Sequence, residues 1–370
     1  VRIVFELIRW LIGLLFIFSG LVKANDPNGL SYKMQEFLEA WNMHAFHDYT
    51  LGFALLMNAL EIIAGVAVIV GWRMKAVSWF LLLLIVFFTF LTGYASLATN
   101  ADGSPRFRSC GCFGDCLPLD PGQSFMKDVM LLILIGILLL FRKRVPPLLK
   151  GSVLPVTLIT FATFFSVAFQ WYVLSYLPVV DCLPYKKGNN LALLSQMPAD
   201  AIPDQYDIRF VYTRNGQDQE FAVGNLPNDT TWKFKERKQV LVRKGKNNEP
   251  PVKDFILTNE EGINLTTELF AGTQTYYLLF LLKVDGKPAD KSWVEAVKAI
   301  AKDKPLYVVT ATPDAVRGWL SADEGLKKLP VLSCDGTAIK TAARAVPTLY
   351  KMNGPVVVNK WSGASNDRWD

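Results

Sequence analysis

Five apolar stretches, all ending before residue 180, decide what this chain can fold into. A helix that crosses the hydrocarbon core of a bilayer needs about 20 largely apolar residues. Segments 3–22, 51–70, 76–98, 125–141 and 153–177 have that character. They predict a bundle of membrane helices with the lipid bilayer as partner, and a sheet-forming outer region after it. The first stretch is too long for a secretory leader. It carries Glu6 and Arg9, and it ends in Ser19-Gly20-Leu21-Val22-Lys23 without a small-x-small cleavage site, so it reads as a retained span. The hydrophobic share of 51% excludes disorder, and five cysteines with two histidines are too few for a disulfide scaffold or a histidine-based metal site. A net charge of +6 is accounted for by basic flanks of spans and calls for no nucleic acid.

Short loops rich in Lys and Arg mark the cytoplasmic side. Arg73 and Lys75 lie between spans two and three; Arg142, Lys143, Arg144 and Lys150 lie between spans four and five. Together with Arg2 they put the N-terminus in the cytoplasm. Residues 23–50, 99–124 and everything after about 178 then face outward, into the periplasm of a bacterial inner membrane. Within the first outer segment, 34–41 is amphipathic and predicts a helix lying at the interface. Ionisable groups inside spans cost about 2.5–3.5 kcal/mol each on insertion scales. Glu61, one turn from Asn58, and the Glu6/Arg9 pair are the candidates. They read either as a polar network fixing helix register or, for Glu61, as a proton-handling or quinone-contacting group.

Ser109-Cys110-Gly111-Cys112-Phe113-Gly114-Asp115-Cys116 is the most informative run. It sits in the outer loop before span four, and Cys182 follows span five on the same side. Cys110, Cys112, Cys116 and Cys182 are therefore the candidate catalytic residues, gathered on one oxidising surface. Arg106, Arg108 and the positive N-terminal end of span four would lower a thiol pKa there, with Asp115 opposing. A Cys-Gly-Cys pair closes only a small strained ring, which suits exchange. Three other readings stay open: structural disulfides tying the loop to span five, a four-thiolate zinc site of irregular spacing, and unpaired bystanders.

Several of these residues resemble a known family. Gly13, Phe16, Phe18-Ser19-Gly20 and Lys23 resemble the first span of DoxX-type membrane proteins, and Glu61 with Gly65 and Gly71 resembles their second. Cys110-Gly111-Cys112-Phe113-Gly114, with Lys127-Asp128 opening span four, resembles the methylamine-utilisation MauE branch of that superfamily, over roughly residues 3–145. The resemblance implies a four-helix bundle similar to the quinone-linked disulfide enzymes of the DsbB and vitamin K epoxide reductase type, with disulfide formation in periplasmic partners. It makes Glu61 and Asp128 supporting residues and quinone a possible cofactor, although no C-x2-C pair stands at a helix start. The whole layout resembles a protein type common in Bacteroidota.

After the turn-rich exit 181–190 the composition becomes that of an α/β region. Segments 206–213 and 219–223 flank Asn215-Gly216, a strong hairpin signal. The polar, basic stretch 225–255 offers one strand near 240–242. Beyond it the pattern predicts a small hairpin over 254–266, a buried strand over 276–284, a helix over 292–302, a strand over 306–310 and a helix over 315–329. A strand at 331–333, a short helix over 337–344 and a hairpin about Asn353-Gly354 complete it. This order, with Val346-Pro347-Thr348, resembles the thioredoxin-like fold over 252–370 and implies a cis bond at Pro347. The last helix of that fold reads as missing or shortened. Where the fold carries its Cys-x-x-Cys, this chain has Asp285-Gly286-Lys287-Pro288-Ala289-Asp290, so the region runs no thioredoxin chemistry by itself. Cys334 reads as a buried small hydrophobe or as the site of a mixed disulfide with Cys116 or with a partner protein.

The expected organisation is a DoxX/MauE-like bundle (1–145), a fifth span (146–182), a β-rich linker (183–251) and a degenerate thioredoxin-like domain (252–370). Three functions compete: thiol–disulfide exchange at the cysteine loop with periplasmic clients, a scaffold presenting a redox-dead module to an envelope complex, or a small-molecule carrier or lipid-handling protein built on the bundle.

Overall fold

The computed structural model describes residues 2–100, 103–107, 109–149 and 151–369. Arg108 and Lys150, both used above, lie outside the described residues, as does the side chain of Arg2.

Helices α1 (Arg2–Ala24), α3 (Thr50–Val70), α4 (Met74–Leu97), α5 (Pro121–Leu140) and α6 (Val153–Tyr176) are each long and apolar enough to cross a bilayer. Leu83, Phe90, Leu140 and Phe164 on these helices are more than half exposed. In water that pattern would be a liability; against lipid tails it is the expected outer surface. α1 packs on α3 where Gly13 and Gly65 face each other. A Cβ on Gly65 would meet the Gly13 carbonyl oxygen at 2.7 Å, so the two backbones approach only because neither residue has a side chain. α5 begins at Pro121, earlier than the apolar pattern suggests, because proline fits the first helical turn.

Helix α2 (Pro27–Ala40) is also longer than its amphipathic half at 34–41. Asp26 caps it by accepting a hydrogen bond from the Gly29 N–H at 2.9 Å, and Pro27 opens it.

A short helix α7 (Leu191–Leu194) leads into a three-stranded sheet, β1 (Gln205–Arg214), β2 (Gln217–Ala222) and β3 (Lys233–Arg243), in the order β2-β1-β3. Asn215 and Gly216 both have positive φ at the β1–β2 turn, as a two-residue hairpin loop requires. β3 extends well beyond the expected 240–242. Nearly all its residues are exposed, so no inward face imposes the alternation by which a strand is recognised.

A five-stranded sheet follows, built from β4 (Thr275–Phe280), β5 (Leu306–Thr310), β6 (Val331–Ser333), β7 (Thr348–Asn353) and β8 (Val356–Ser362), in the order β6-β5-β4-β7-β8. β4, β5 and β6 run parallel; β7 and β8 are antiparallel. β4 is buried on both faces. Tyr276, Leu278 and Phe280 join one core, with α8 (Thr266–Ala271) and α11 (Gly336–Ala342) on that side; Tyr277 and Leu279 join the other, with α9 (Val294–Asp303) and α10 (Pro313–Leu320). Such two-sided burial explains its unbroken apolar run. The Val346–Pro347 bond is cis.

One expectation is narrowed and one is corrected. The 254–266 hairpin is short: Thr258 bridges Asn264, the Leu265 N–H bonds to the Leu257 carbonyl at 2.8 Å and the Asn259 N–H to the Ile263 carbonyl at 3.0 Å, and Thr258 also bridges Ser333 of β6. The helix expected over 315–329 stops at Leu320, and Asp323 then accepts from the Gly325 N–H at 2.8 Å, a local side-chain turn that competes with helix.

Candidate functional site

The cysteine loop joins α4 to α5 and is pinned from three sides. Phe107 stacks on Phe37 of α2, with ring centroids 4.5 Å apart. Ser19 of α1 donates to the Cys112 carbonyl at 3.1 Å. Phe113 is buried, 5.8 Å from the Phe18 ring, with the Lys127 ammonium of α5 4.9 Å from its centroid. Gly111 and Gly114 both have positive φ and close a turn through a Gly114 N–H to Gly111 carbonyl bond of 3.0 Å. These glycines let the chain fold back so that Cys110 and Cys112 face each other.

Cys116 and Cys182 are joined as a disulfide. Of the four candidate catalytic cysteines, then, two form a covalent tie between the loop and the exit of α6, as the structural-disulfide reading allowed. A four-thiolate zinc set is not available in this state. Cys334 is free and buried, so the mixed disulfide with Cys116 is not made. Cys110 and Cys112 are the free pair of the loop, Cys110 buried and Cys112 partly exposed.

The pair is asymmetric. The Cys112 thiol donates to Cys110, and that bond is the largest influence lowering the Cys110 pKa to about 6. Burial opposes the shift, while Ser124, the Cys112 backbone N–H and the Lys127 charge add to it. Cys110 Sγ and Ser124 Oγ are 2.7 Å apart, and the Cys112 N–H lies 3.4 Å from Cys110 Sγ. Donating its proton, together with burial, pushes Cys112 well above the usual thiol range. Hydrogen bonds therefore carry the role expected of Arg106. That side chain is exposed, and its backbone N–H bonds to the Ala98 carbonyl. Ser124, in the first turn of α5, has no spacing that would flag it in a sequence.

Beneath Cys112 lies a cavity of about 20 Å³ lined by Ser19, Lys23, Glu61, Lys127 and Asp128. Lys23 pairs with Glu61. Lys127 pairs with Asp128 at 2.7 Å, and Thr92 donates to the other Asp128 oxygen at 3.0 Å. Glu61 thus takes its partner from α1, whereas Asn58 donates to Gln170 of α6 at 3.1 Å instead of joining Glu61. Arg9 pairs with Glu6 and also donates to the Pro146 carbonyl at 2.8 Å. Buried charges need such pairing to be tolerated. The cavity has room for about one water molecule. A quinone ring does not fit in a space of that size.

The C-terminal region grips both halves of the disulfide. Arg344, following α11, pairs with Asp26 and with Asp115, each at 2.7 Å. Its carbonyl accepts from Asn28 at 2.7 Å. Lys360 of β8 pairs with Asp181. Asp115 and Asp181 immediately precede Cys116 and Cys182.

Residues 1–142 match the family profile described as methylamine utilisation protein MauE. Residues 206–244 match a domain of unknown function, DUF8463, which coincides with the three-stranded sheet. No curated protein and no solved structure matches the chain. The chain is a multi-pass membrane protein with a MauE-like N-terminal region, followed by a sheet-containing C-terminal region.

Proposed function

We propose that this protein carries out thiol–disulfide exchange with client proteins at its cysteine loop, on the periplasmic face of a bacterial inner membrane. The observation that carries this reading is the Cys110–Cys112 pair. One thiol is held as a thiolate near neutral pH, and its neighbour is held protonated and in contact. The Cys110 thiolate attacks one sulfur of a client disulfide, a mixed disulfide forms, and the client's other sulfur leaves as a thiolate that takes a proton. Cys112 gives up its proton and attacks Cys110 Sγ, releasing the second client thiol. The client disulfide is reduced by two electrons and the Cys110/Cys112 dithiol is oxidised; the reverse sequence oxidises the client, and the relative potentials set the direction. The buried ion pairs beneath Cys112 support the site by keeping a polar, proton-exchanging floor under the thiol.

In this reading the C-terminal region is a thioredoxin-like module over 252–370 that has lost its dithiol and acts as a cover over the loop. Basic loops at Arg73–Lys75 and Arg142–Arg144 support a cytoplasmic assignment for the opposite side. The ion pairs to Asp115 and Asp181 also favour a second reading, a scaffold presenting that module to an envelope complex. The two separate on one experiment. Full-length protein in phospholipid nanodiscs is mixed with a disulfide-bonded model peptide, and thiol transfer is followed by alkylation and mass mapping. Exchange predicts that Cys110→Ser slows transfer by about a hundredfold or more. Transfer at the wild-type rate in Cys110→Ser rules exchange at this pair out and leaves the scaffold.

A further inference from the structure

The two ends of the Cys116–Cys182 bond are both half-buried but border different spaces. Cys182 lines an open cleft of about 680 Å³. One wall is α2, with Tyr32, Lys33 and Glu36; the other is α11, with Thr337 and Lys340. Both cysteines also line a narrow cavity of about 10 Å³ between the end of α1 and the exit of α6, and Cys116 does not line the cleft. The same cleft reaches the thiol loop, because Lys33 lies against Gly111, where a Cβ would stand 3.1 Å from Lys33 Cγ. The geometry points to this cleft as the docking site of a cysteine-bearing polypeptide segment, with Cys182 as the sulfur the segment engages. The inference rests on the exchange reading above and names its partner site.

A volume of this size falls within the ordinary range of about 300–1,000 Å³ for ligand sites, and far exceeds what a single thiol needs. Its walls carry both signs of charge, Glu36 and Glu39 with Lys186 and Lys340. Such walls suit a peptide backbone, which offers donors and acceptors in alternation. Thiolate attack depends on which sulfur is reachable and on which sulfur leaves. A client thiolate in the cleft attacks Cys182 Sγ; the client–Cys182 bond forms, the Cys116–Cys182 bond breaks, and Cys116 leaves as a thiolate that takes a proton. A second client thiol then attacks the client sulfur of the mixed disulfide and releases Cys182. The client dithiol is oxidised to a disulfide, and Cys116 and Cys182 are reduced to thiols. Through both steps the Arg344–Asp115 and Lys360–Asp181 pairs keep the two cysteine-bearing segments in place.

Full-length protein in nanodiscs tests this with two probes, a cysteine peptide and cysteamine, each activated as its 2-thiopyridyl disulfide. In Cys116→Ala the peptide labels Cys182. In Cys182→Ala it labels Cys116 at least about tenfold more slowly. The wild-type chain, whose disulfide keeps the region intact, is challenged instead with the reduced dithiol peptide and with free cysteamine. Thr337→Trp, at an exposed position on the cleft wall, is expected to slow the peptide about tenfold and leave cysteamine unchanged. Cys116 labelling as fast as Cys182, or a peptide rate untouched by Thr337→Trp, overturns the docking site. Should Cys182 take the peptide while Cys110 and Cys112 never change state, exchange at the loop pair fails and the docking site stands.

Discussion

Cys110 and Cys334 are both free and both buried, yet they sit at opposite ends of the thiol range. Cys110, in the loop on the membrane bundle, is lowered to about 6; Cys334, under the five-stranded sheet, is pushed up to about 12. Burial raises both. Around Cys110 a neighbouring thiol, a serine hydroxyl and a backbone N–H all stabilise the thiolate, and they outweigh it. Around Cys334 desolvation dominates: backbone hydrogen bonds from Ile256 and Asp335 lower the pKa, but they do not outweigh burial, and the Asp335 and Asp254 charges add to it. Where burial wins, a cysteine is a small hydrophobe; where converging donors win, it is a nucleophile.

The largest effect should be the contrast itself. At pH 7 the two thiolate fractions differ by about 10⁵. Lower intrinsic nucleophilicity of the more acidic thiol takes back two to three decades. A pulse of iodoacetamide on the folded protein should therefore modify Cys110 about a hundredfold faster than Cys334, and Cys334 labelling should track unfolding of the C-terminal region. Equal rates would dissolve the distinction.

Next comes the join between the two regions. Arg344→Met leaves Asp26 buried without its cation and should cost about 3 kcal/mol of stability, read as a lower denaturation midpoint in detergent; Arg344→Lys should cost less. A midpoint unchanged in Arg344→Met would mean that the C-terminal region does not depend on the loop. The smallest effects should fall on Cys110 alone. Ser124→Ala removes one hydrogen bond to a charged sulfur and should raise its pKa by about one unit, seen in the pH profile of alkylation. Lys127→Gln should raise it by less, as the weakest of the contributions named.

How much of this the sequence reveals depends on the solvent each segment meets. The five spans are legible because hydrocarbon tolerates few departures from an apolar run. β4 and β5 are legible for a similar reason, being enclosed on both faces. β3 is not, since its charged residues face water on either side. The cysteine run stands out in the chain, but the pairing does not: nothing in the spacing selects Cys116–Cys182 over Cys110–Cys112. Lys23 reads as an ordinary basic helix end, although an acid inside a neighbouring span needs a base within reach, which in retrospect points to Glu61. Arg344 lies more than two hundred residues from Asp115, and the surrounding sequence carries no pattern that would join them.

The central claim is that Cys110 is a thiolate at neutral pH because its neighbours donate to it. Its alkylation rate against pH, measured by mass spectrometry on the full-length protein in nanodiscs, tests that most directly. The thiol's pKa is lower in the folded chain than its ordinary 9.0, so the folded state gains stability as pH rises from about 6 to 9 and loses it as pH falls back through 6. The rate should accordingly rise with an inflection near pH 6 and stay flat above pH 7. An inflection near pH 9 would contradict the account.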